Sequence, residues 1–497
     1  MTVSDGASEI PPPPGWALFC LALGVFLLTS RGIQVGDALV HLDTARGLVE
    51  RGGVALSFSG GGEETCGLVA RGDDGASYSS LGPGMALAAL PLVAAGSLLA
   101  PRNCTAGADR LGQDMQRAFE ELPAVERIRL FRKINRDPRA WAFALLDPLC
   151  GAGVVLLLAR LLLVLGLSAG ALLFSSLVLM LASPLAVYAG SGWTQPLVAL
   201  LLLGATLAWV QWLRRRRPAD ALVVGAWLAG AVLVRPDCLV MAVVFTAAML
   251  SVRGQLGWRK LLGQLLGFSL PLGMALLLLA GWNLLRFGSL APPACSLQLG
   301  GWSWRVFPSA FAGLLLSPNN GLVWYLPVVV VLAWALRPLW RSQRALLLLI
   351  LALATAHWLL YSFWWDWNGR MSYGPRRLVP VIALLLVPVA LVWQQGRWRR
   401  ALALGLAVAG LLVQLPGLLL SAQHLPDVLP QQAWSVASWV TGWTVLLGHA
   451  WSVPSSSLWP DAVACLSGFL PPFLAGGVVS LVAGCWGLFA WARKAVF

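Results

Sequence analysis

The acids of this 497-residue chain are few and unevenly spread: sixteen of the 21 lie between Asp5 and Asp147, and the others are Asp220, Asp237, Asp366, Asp427 and Asp461. Carboxylate chemistry therefore has few addresses. Asp37, in the string VGDALVHLD, lies just beyond the first long apolar run, where an ionised carboxylate costs little. It suits a general base or a metal-holding group, and equally the N-cap of a helix beginning at Ala38. His41 and Asp43 follow on the same helix and fit a solvated face. Arg235-Pro236-Asp237 puts an ionisable pair at the end of another apolar run, a functional placement by default or an ion pair joining two helix ends. The segment SFWWDWNGRMSYGPRRLVP, Ser362 to Pro380, carries Asp366, Arg370, Tyr373, Arg376 and Arg377 among three Trp. Guanidinium groups held among rings suit a phosphate with a lipid tail, through bidentate hydrogen bonds in a poorly hydrated setting. The plain alternative is arginine snorkelling from a helix start.

Two hydroxyl-rich strings join these candidates. YSSLGPGMALAALP, Tyr78 to Pro91, sets Tyr78 and Ser79 and a Gly-Pro-Gly turn before an apolar helix, whose first backbone amides could hold a phosphate or form a simple turn and cap. SPLAVYAGSGWTQPL, Ser183 to Leu197, clusters Tyr188, Trp193 and Gln195, with the aromatic residues expected as interface anchors. The eight Cys contain no CxxC pair and the four His show no finger spacing, which argues against a structural zinc site. Cys66 and Cys104 share one polar region and form a disulfide or stay as thiols according to compartment.

The elements that must position these residues are membrane spans. Hydrophobic residues make up 58% of the chain and charged residues 11%, against roughly 25% charged in soluble domains, which excludes a soluble globule. A mean hydropathy of +0.75 and 26 Trp against 5 Tyr point the same way. The net charge of +14 comes from 35 basic residues, 32 of them Arg, mostly at the ends of apolar runs, a topology signal that argues against a nucleic-acid partner.

The chain is expected to be an all-α polytopic membrane protein. Residues 1–15 form a cytoplasmic tail, and 16–30 an uncleaved first span. Eleven more spans follow near 141–165, 170–188, 194–213, 219–236, 238–252, 261–282, 322–339, 344–362, 377–395, 401–421 and 470–491, giving about twelve. Basic clusters at Arg214 to Arg217, Arg253 to Lys260, Arg337 to Arg344, Arg397 to Arg400, and Arg493 with Lys494 fall at alternate connections, so all can be cytoplasmic together with both termini. Counting 81–100 as a crossing would put every later cluster outside. It is therefore assigned to an interfacial or re-entrant helix within an external loop, 31–140, that also holds an amphipathic helix at 38–51 and a helical segment at 106–134 broken at Pro123. Residues 141–395 form the transmembrane core, and 396–497 the last spans around an external loop at 422–469.

Taken in order, Gly36-Asp37, YSSLGPG, the Tyr-containing turn before Gln195, Arg235-Pro236, Asn283 with RFG, SPNNGL and WNGRMSYGPRRL resemble the GT-C superfamily of membrane glycosyltransferases. The likeness is to bacterial protein O-mannosyltransferases and lipid A aminoarabinose transferases and covers about 31 to 380. The resemblance implies a multi-pass protein of the bacterial inner membrane, with a polyprenyl-phosphate sugar as donor and transfer at the external face. It makes Asp37 the base and Arg376, Arg377 and Arg235 the holders of the leaving phosphate, with Tyr78, Ser79, Gln195, Asp237, Asp366 and Tyr373 around the substrates. Three positions depart from the family pattern: Gln195 stands where relatives usually carry an acid, Ser80 where they often show Lys, and Ala38 where a second acid follows the first. A divalent cation, Mg or Mn, held by Asp37 is thereby left open. So is a non-catalytic protein on the same scaffold that binds or moves a lipid-linked glycan or serves a glycan-assembly complex. A third reading, an ion-coupled transporter, would use Asp147 inside a span.

Overall fold

In hydrocarbon every backbone polar group needs an internal partner, so long apolar runs become helices. The computed structural model describes residues 11–59, 68–100, 109–119, 122, 124–291, 301–369, 372–419, 440, 443–444 and 471–496. Cys66, Cys104, Arg370 and nearly all of 422–469 lie outside them. The helices in chain order are α1 (Gly15–Thr29), α2 (Gly36–Arg46), α3 (Gly84–Leu99), α4 (Arg110–Ala118), α5 (Ala124–Ile134), α6 (Pro138–Ala144) and α7 (Leu146–Val164), then α8 (Ala169–Leu181), α9 (Pro184–Tyr188), α10 (Gln195–Arg215), α11 (Pro218–Val234) and α12 (Leu239–Leu250). The second half holds α13 (Arg253–Leu256), α14 (Trp258–Phe287), α15 (Phe307–Leu316), α16 (Leu322–Tyr325), α17 (Leu332–Ser362), α18 (Val379–Val392), α19 (Arg397–Leu419) and α20 (Pro471–Val496). Strands β1 (Val69–Arg71) and β2 (Ser77–Ser79) pair antiparallel, Ala70 opposite Tyr78.

Six helical stretches among the described residues are long and apolar enough to cross a membrane, and six further apolar helices are shorter. The chain is a multi-pass membrane protein. The stretch α17 is two helical arms: Gln343 has non-helical dihedrals (φ −144°, ψ 50°), between Arg341 and Arg344. Helices α1 and α20 run antiparallel, with Gly24 against Leu481, Gly484 against Leu21 and Gly487 against Trp16, so glycine faces let the two backbones approach closely. The Trp491 indole also donates to the Pro11 carbonyl at 2.5 Å, placing both ends of the described chain on one side.

The helix ends sort into two layers. At one, Arg214 reaches the Val164 carbonyl, Gln264 donates to the Arg216 carbonyl, and Gly170 lies on the Trp393 ring. There too Arg400 donates to the Trp393 carbonyl and Arg399 lies over Trp334. At the opposite layer, the Arg31 amide donates to the Gly190 carbonyl, its guanidinium to the Gly417 carbonyl, and Tyr188 to the Tyr373 carbonyl. Basic connections thus occupy one end of the bundle, and the candidate site residues collect at the other.

Between α1 and α7 the chain differs from the amphipathic surface helix expected at 38–51. Ala38 to Arg46 are all buried, and a π-turn at Gly47–Arg51 follows. His41 and Asp43, expected on a solvated face, are 2% and 0% exposed. The reason is electrostatic. Asp43 accepts from Arg46, Arg51 and both the amide and hydroxyl of Ser57. Arg46 also contacts Glu50 and Asp109, the N-cap of α4, while Arg139 joins Glu50 to Asp137, the N-cap of α6, and Ser97 of α3 donates to Glu50. These charges, in part from residues 109–139, therefore clamp α3, α4 and α6 onto α2. Asn135 completes the clamp: its Oδ1 accepts from the Ile33 amide at 2.7 Å and its Nδ2 donates to the Ile33 carbonyl at 2.8 Å. Helix α3 spans 16 residues, roughly 24 Å, short of a hydrocarbon core of about 30 Å, and it packs on α2, α6 and α11.

Burial pushes the Glu50 and Asp109 carboxyls up, but the neighbouring groups outweigh it and both end below the usual range: Ser97, Arg46 and Arg139 at Glu50, and Arg46 with the Gly112 amide at Asp109. Lowered folded-state pKa values contribute stability that is present above the unfolded values and lost as pH falls through the folded ones. Stability should therefore decline below about pH 4. Arg46→Ala, which strips buried Asp43 of one guanidinium, should cost about 3 kcal/mol at neutral pH and flatten that acid limb. Melting curves across pH check both outcomes.

Candidate functional site

Asp37 sits in the first turn of α2, one place inside the helix rather than at its cap, which is Val35. There the helix dipole favours a carboxylate, and the side chain keeps 28% exposure. Facing it is Arg376, whose Nη2 lies 3.9 Å from Asp37 Oδ2. That is the outer limit of an ion pair, a contact an oxyanion could enter. Arg376 is brought there by the turn Ser372-Tyr373-Gly374-Pro375. Gly374 has φ +68°, and a Cβ on it would meet the Tyr325 ring at 2.5 Å, so only glycine turns the chain here. The Tyr373 hydroxyl donates to the Val413 carbonyl, and its ring meets Tyr325 edge-on at 5.2 Å, fixing the turn against α19.

The two neighbouring arginines differ in how they are satisfied. Arg377 donates to Asp366 Oδ2 at 2.8 Å and to the Asp366 carbonyl, and lies 5.3 Å from the Tyr361 ring centroid. Arg376 rests instead on the Trp193 ring, 3.6 Å from its centroid, with its Nε buried and unpartnered. Burial, and then the charge of Arg377, pull its pKa down to about 10, so it remains cationic at neutral pH. A largely enclosed guanidinium whose carboxylate contact is loose keeps most of its charge uncompensated.

Trp193 is held in turn by Asp147 of α7, which accepts its backbone N–H at 2.7 Å, and by the edge of Tyr188 at 6.3 Å. Asp147, the residue that a transporter would use, is thus engaged in anchoring a turn. Trp193 was expected only as an interface anchor, yet it is 4% exposed and lies beneath the guanidinium. Gln195, two residues on, is buried with its Oε1 unpartnered. His41, one helical turn beyond Asp37, has its pKa lowered to about 4 by burial, against the opposing charge of Asp37, and is neutral at pH 7.

Other expected site residues fall into different arrangements. Arg235 pairs locally with Asp237 at 2.8 Å and donates to the Tyr361 hydroxyl at 2.7 Å, a hydrogen bond that ties the end of α11 to α17 and adjoins the site. Tyr78 donates to Asp74 at 2.6 Å and packs on Phe287, so its hydroxyl is already engaged. The Ser79 hydroxyl accepts from the Leu81 amide, and its carbonyl accepts from Arg286 of the RFG string, which nothing in the sequence marks as a partner of Ser79. The start of α3 holds no open phosphate site, because Gly82 and Gly84 lie directly against the backbone of Leu233 and Val234. Among the described residues no three His, Cys, Asp or Glu side chains converge. The charged group facing Asp37 is a guanidinium. This donor set does not fit a divalent cation.

Fold and site together define a helical multi-pass membrane protein with an acid and a largely enclosed cation facing each other at one end of the bundle. Over 97% of its length the chain is similar to ArnT from Cupriavidus metallidurans solved with undecaprenyl phosphate bound, at 16% identity and a TM-score of 0.47, covering 77% of that chain. Against the apo state of the same protein the values are 95%, 16%, 0.47 and 76%. No family model and no curated protein sequence matches the chain.

The unequal arginines generate a test. Arg377→Ala, which removes a buried guanidinium and leaves half-buried Asp366 without that ion pair, should lower the melting temperature by several degrees. Arg376→Ala should leave the melting temperature within a degree or two of the parent while abolishing the stabilisation that added inorganic phosphate confers. Melting scans with and without phosphate measure both.

Proposed function

We propose that this protein is a membrane glycosyltransferase of the GT-C type that transfers a sugar from a polyprenyl-phosphate donor to an acceptor hydroxyl. The observation that carries the reading is the approach of Asp37 and Arg376 to 3.9 Å, at the bundle end opposite the basic connections. By the positive-inside bias the basic end is cytoplasmic, together with both termini, and the site faces outward at the surface of a bacterial plasma membrane. A lipid donor and an external acceptor can meet only there.

In the proposed step an oxygen of the acceptor hydroxyl attacks the anomeric carbon of the donor sugar. The bond from that carbon to the phosphate oxygen breaks, and its electron pair stays on the phosphate. The attack comes from the face opposite the leaving group, so the anomeric centre inverts. The hydroxyl proton passes to the Asp37 carboxylate. The charge that grows on the phosphate is met by Arg376, whose seat on Trp193 leaves N–H groups free to donate. Arg377 is paired to Asp366 and supports the turn. Arg235 with Asp237 acts through Tyr361 on the same turn.

One observation favours a second reading, a non-catalytic protein that binds or carries a lipid-linked glycan: the amide of Gln195 and the guanidinium facing Asp37 leave that acid without a second carboxylate. Asp37→Asn separates the two. On the enzyme reading, purified protein transfers sugar from a set of radiolabelled polyprenyl-phosphate sugars, and Asp37→Asn lowers kcat by about 10²- to 10⁴-fold while keeping fold and lipid-phosphate binding. Undiminished transfer by the variant would remove Asp37 as the base. Binding without transfer by the unaltered protein, across the whole donor set, would support the second reading.

A further inference from the structure

The gap between Asp37 and Arg376 is governed by a turn that contains neither residue. Residues 189–194 join α9 to α10 and are pinned at three points. The Gly190 carbonyl accepts from the Arg31 amide at 2.9 Å. Gly192, at φ +82°, lies against the start of α2, where a Cβ would stand 3.0 Å from that of Ala38, the neighbour of Asp37. The Trp193 amide donates to Asp147 at 2.7 Å. The same turn therefore touches the helix that carries Asp37 and presents the ring on which Arg376 rests.

We infer that Trp193 and Asp147 are positioning residues that seat the Arg376 guanidinium for an anionic headgroup. This rests on the reading of Arg376 as the phosphate-holding residue. The argument lies in the kind of support the ring provides. A carboxylate partner, such as Asp366 gives Arg377, consumes N–H donors and neutralises the charge. An indole face attracts the cation through its quadrupole without accepting its in-plane hydrogen bonds. Arg376 is thus held in place while its charge and its edge remain available.

Asp147 fixes the ring's height. It stands in the first turn of α7, 1% exposed, and grips the backbone of Trp193 itself. Tyr188, whose edge meets the indole, is tied by its hydroxyl to the Tyr373 carbonyl, three residues before Arg376. Ring and guanidinium are therefore referenced to one another from both sides.

The test measures binding of polyprenyl monophosphate and of uncharged polyprenol to the full-length protein in nanodiscs. Trp193→Leu and Asp147→Ala should weaken polyprenyl monophosphate binding about tenfold and leave polyprenol binding unchanged. Trp193→Phe, which keeps a ring, and Asp147→Asn, which keeps an acceptor for the Trp193 amide, should recover most of the affinity. In an Arg376→Ala background Trp193→Leu should add nothing further. Unchanged phosphate-lipid binding in both Trp193→Leu and Asp147→Ala would overturn the inference, and so would an equal loss for polyprenol. If Asp147→Ala does not fold, the Trp193 pair decides alone. Failure of the underlying reading looks different: Arg376→Ala itself then binds polyprenyl monophosphate as tightly as the parent.

Discussion

A guanidinium held mostly out of water must find charge or rings, and Arg376 finds both in incomplete measure: a carboxylate at 3.9 Å and an indole whose ring centroid lies 3.6 Å away. Much of the surrounding structure serves that arrangement. Helix α2 delivers Asp37, the 189–194 turn delivers Trp193, α7 delivers Asp147 to hold it, and Gly374 bends the chain so that Arg376 enters from above α18. Taking a cation out of water costs several kcal/mol. A ring and a loose carboxylate return only part of that cost, which is the ground for the proposal that this site receives an anion.

Charge is used in three different ways along the chain. Arginines at alternate helix connections sit at one end of the bundle and bear on orientation. The cluster of Asp43, Arg46, Glu50, Asp109, Asp137 and Arg139 is spent internally, tying α2, α3, α4 and α6 into a platform beneath Asp37. The pairs Arg377–Asp366 and Arg235–Asp237 hold helix ends. After these demands Asp37 and Arg376 are a partly exposed acid and a loosely paired cation that face each other.

Some of this was legible in the sequence and some was not, for physical reasons. An acid after the first span and a pair of arginines behind a Tyr-Gly-Pro turn stand out because lipid tolerates few charges, so Asp37, Arg376, Arg377, Asp366 and Tyr373 could all be singled out. Composition also marks the chain as helical and membrane-embedded. Pairing was hidden: nothing in the string distinguishes Arg376 from Arg377, because their partners lie 339 and 11 residues away at Asp37 and Asp366. Burial misled in the region before α7, where Asp43 and His41 read as a wet helix face but are enclosed by long-range ion pairs. Tyr78 and Ser79 drew notice for their hydroxyls, which the fold spends on Asp74 and a local turn. Trp193 looked like any interfacial tryptophan, since a ring's use as a seat for a cation depends on a residue far along the chain.

The central claim is that Arg376, opposite Asp37, is where the phosphate of a lipid donor sits. A structure of the protein with polyprenyl monophosphate bound tests it most directly. The account predicts phosphate oxygens within about 3 Å of the Arg376 guanidinium, with the Trp193 ring still beneath it and Asp37 turned toward open solvent. Density for the phosphate on Arg235 or Arg286, with the Asp37–Arg376 contact undisturbed, would contradict it.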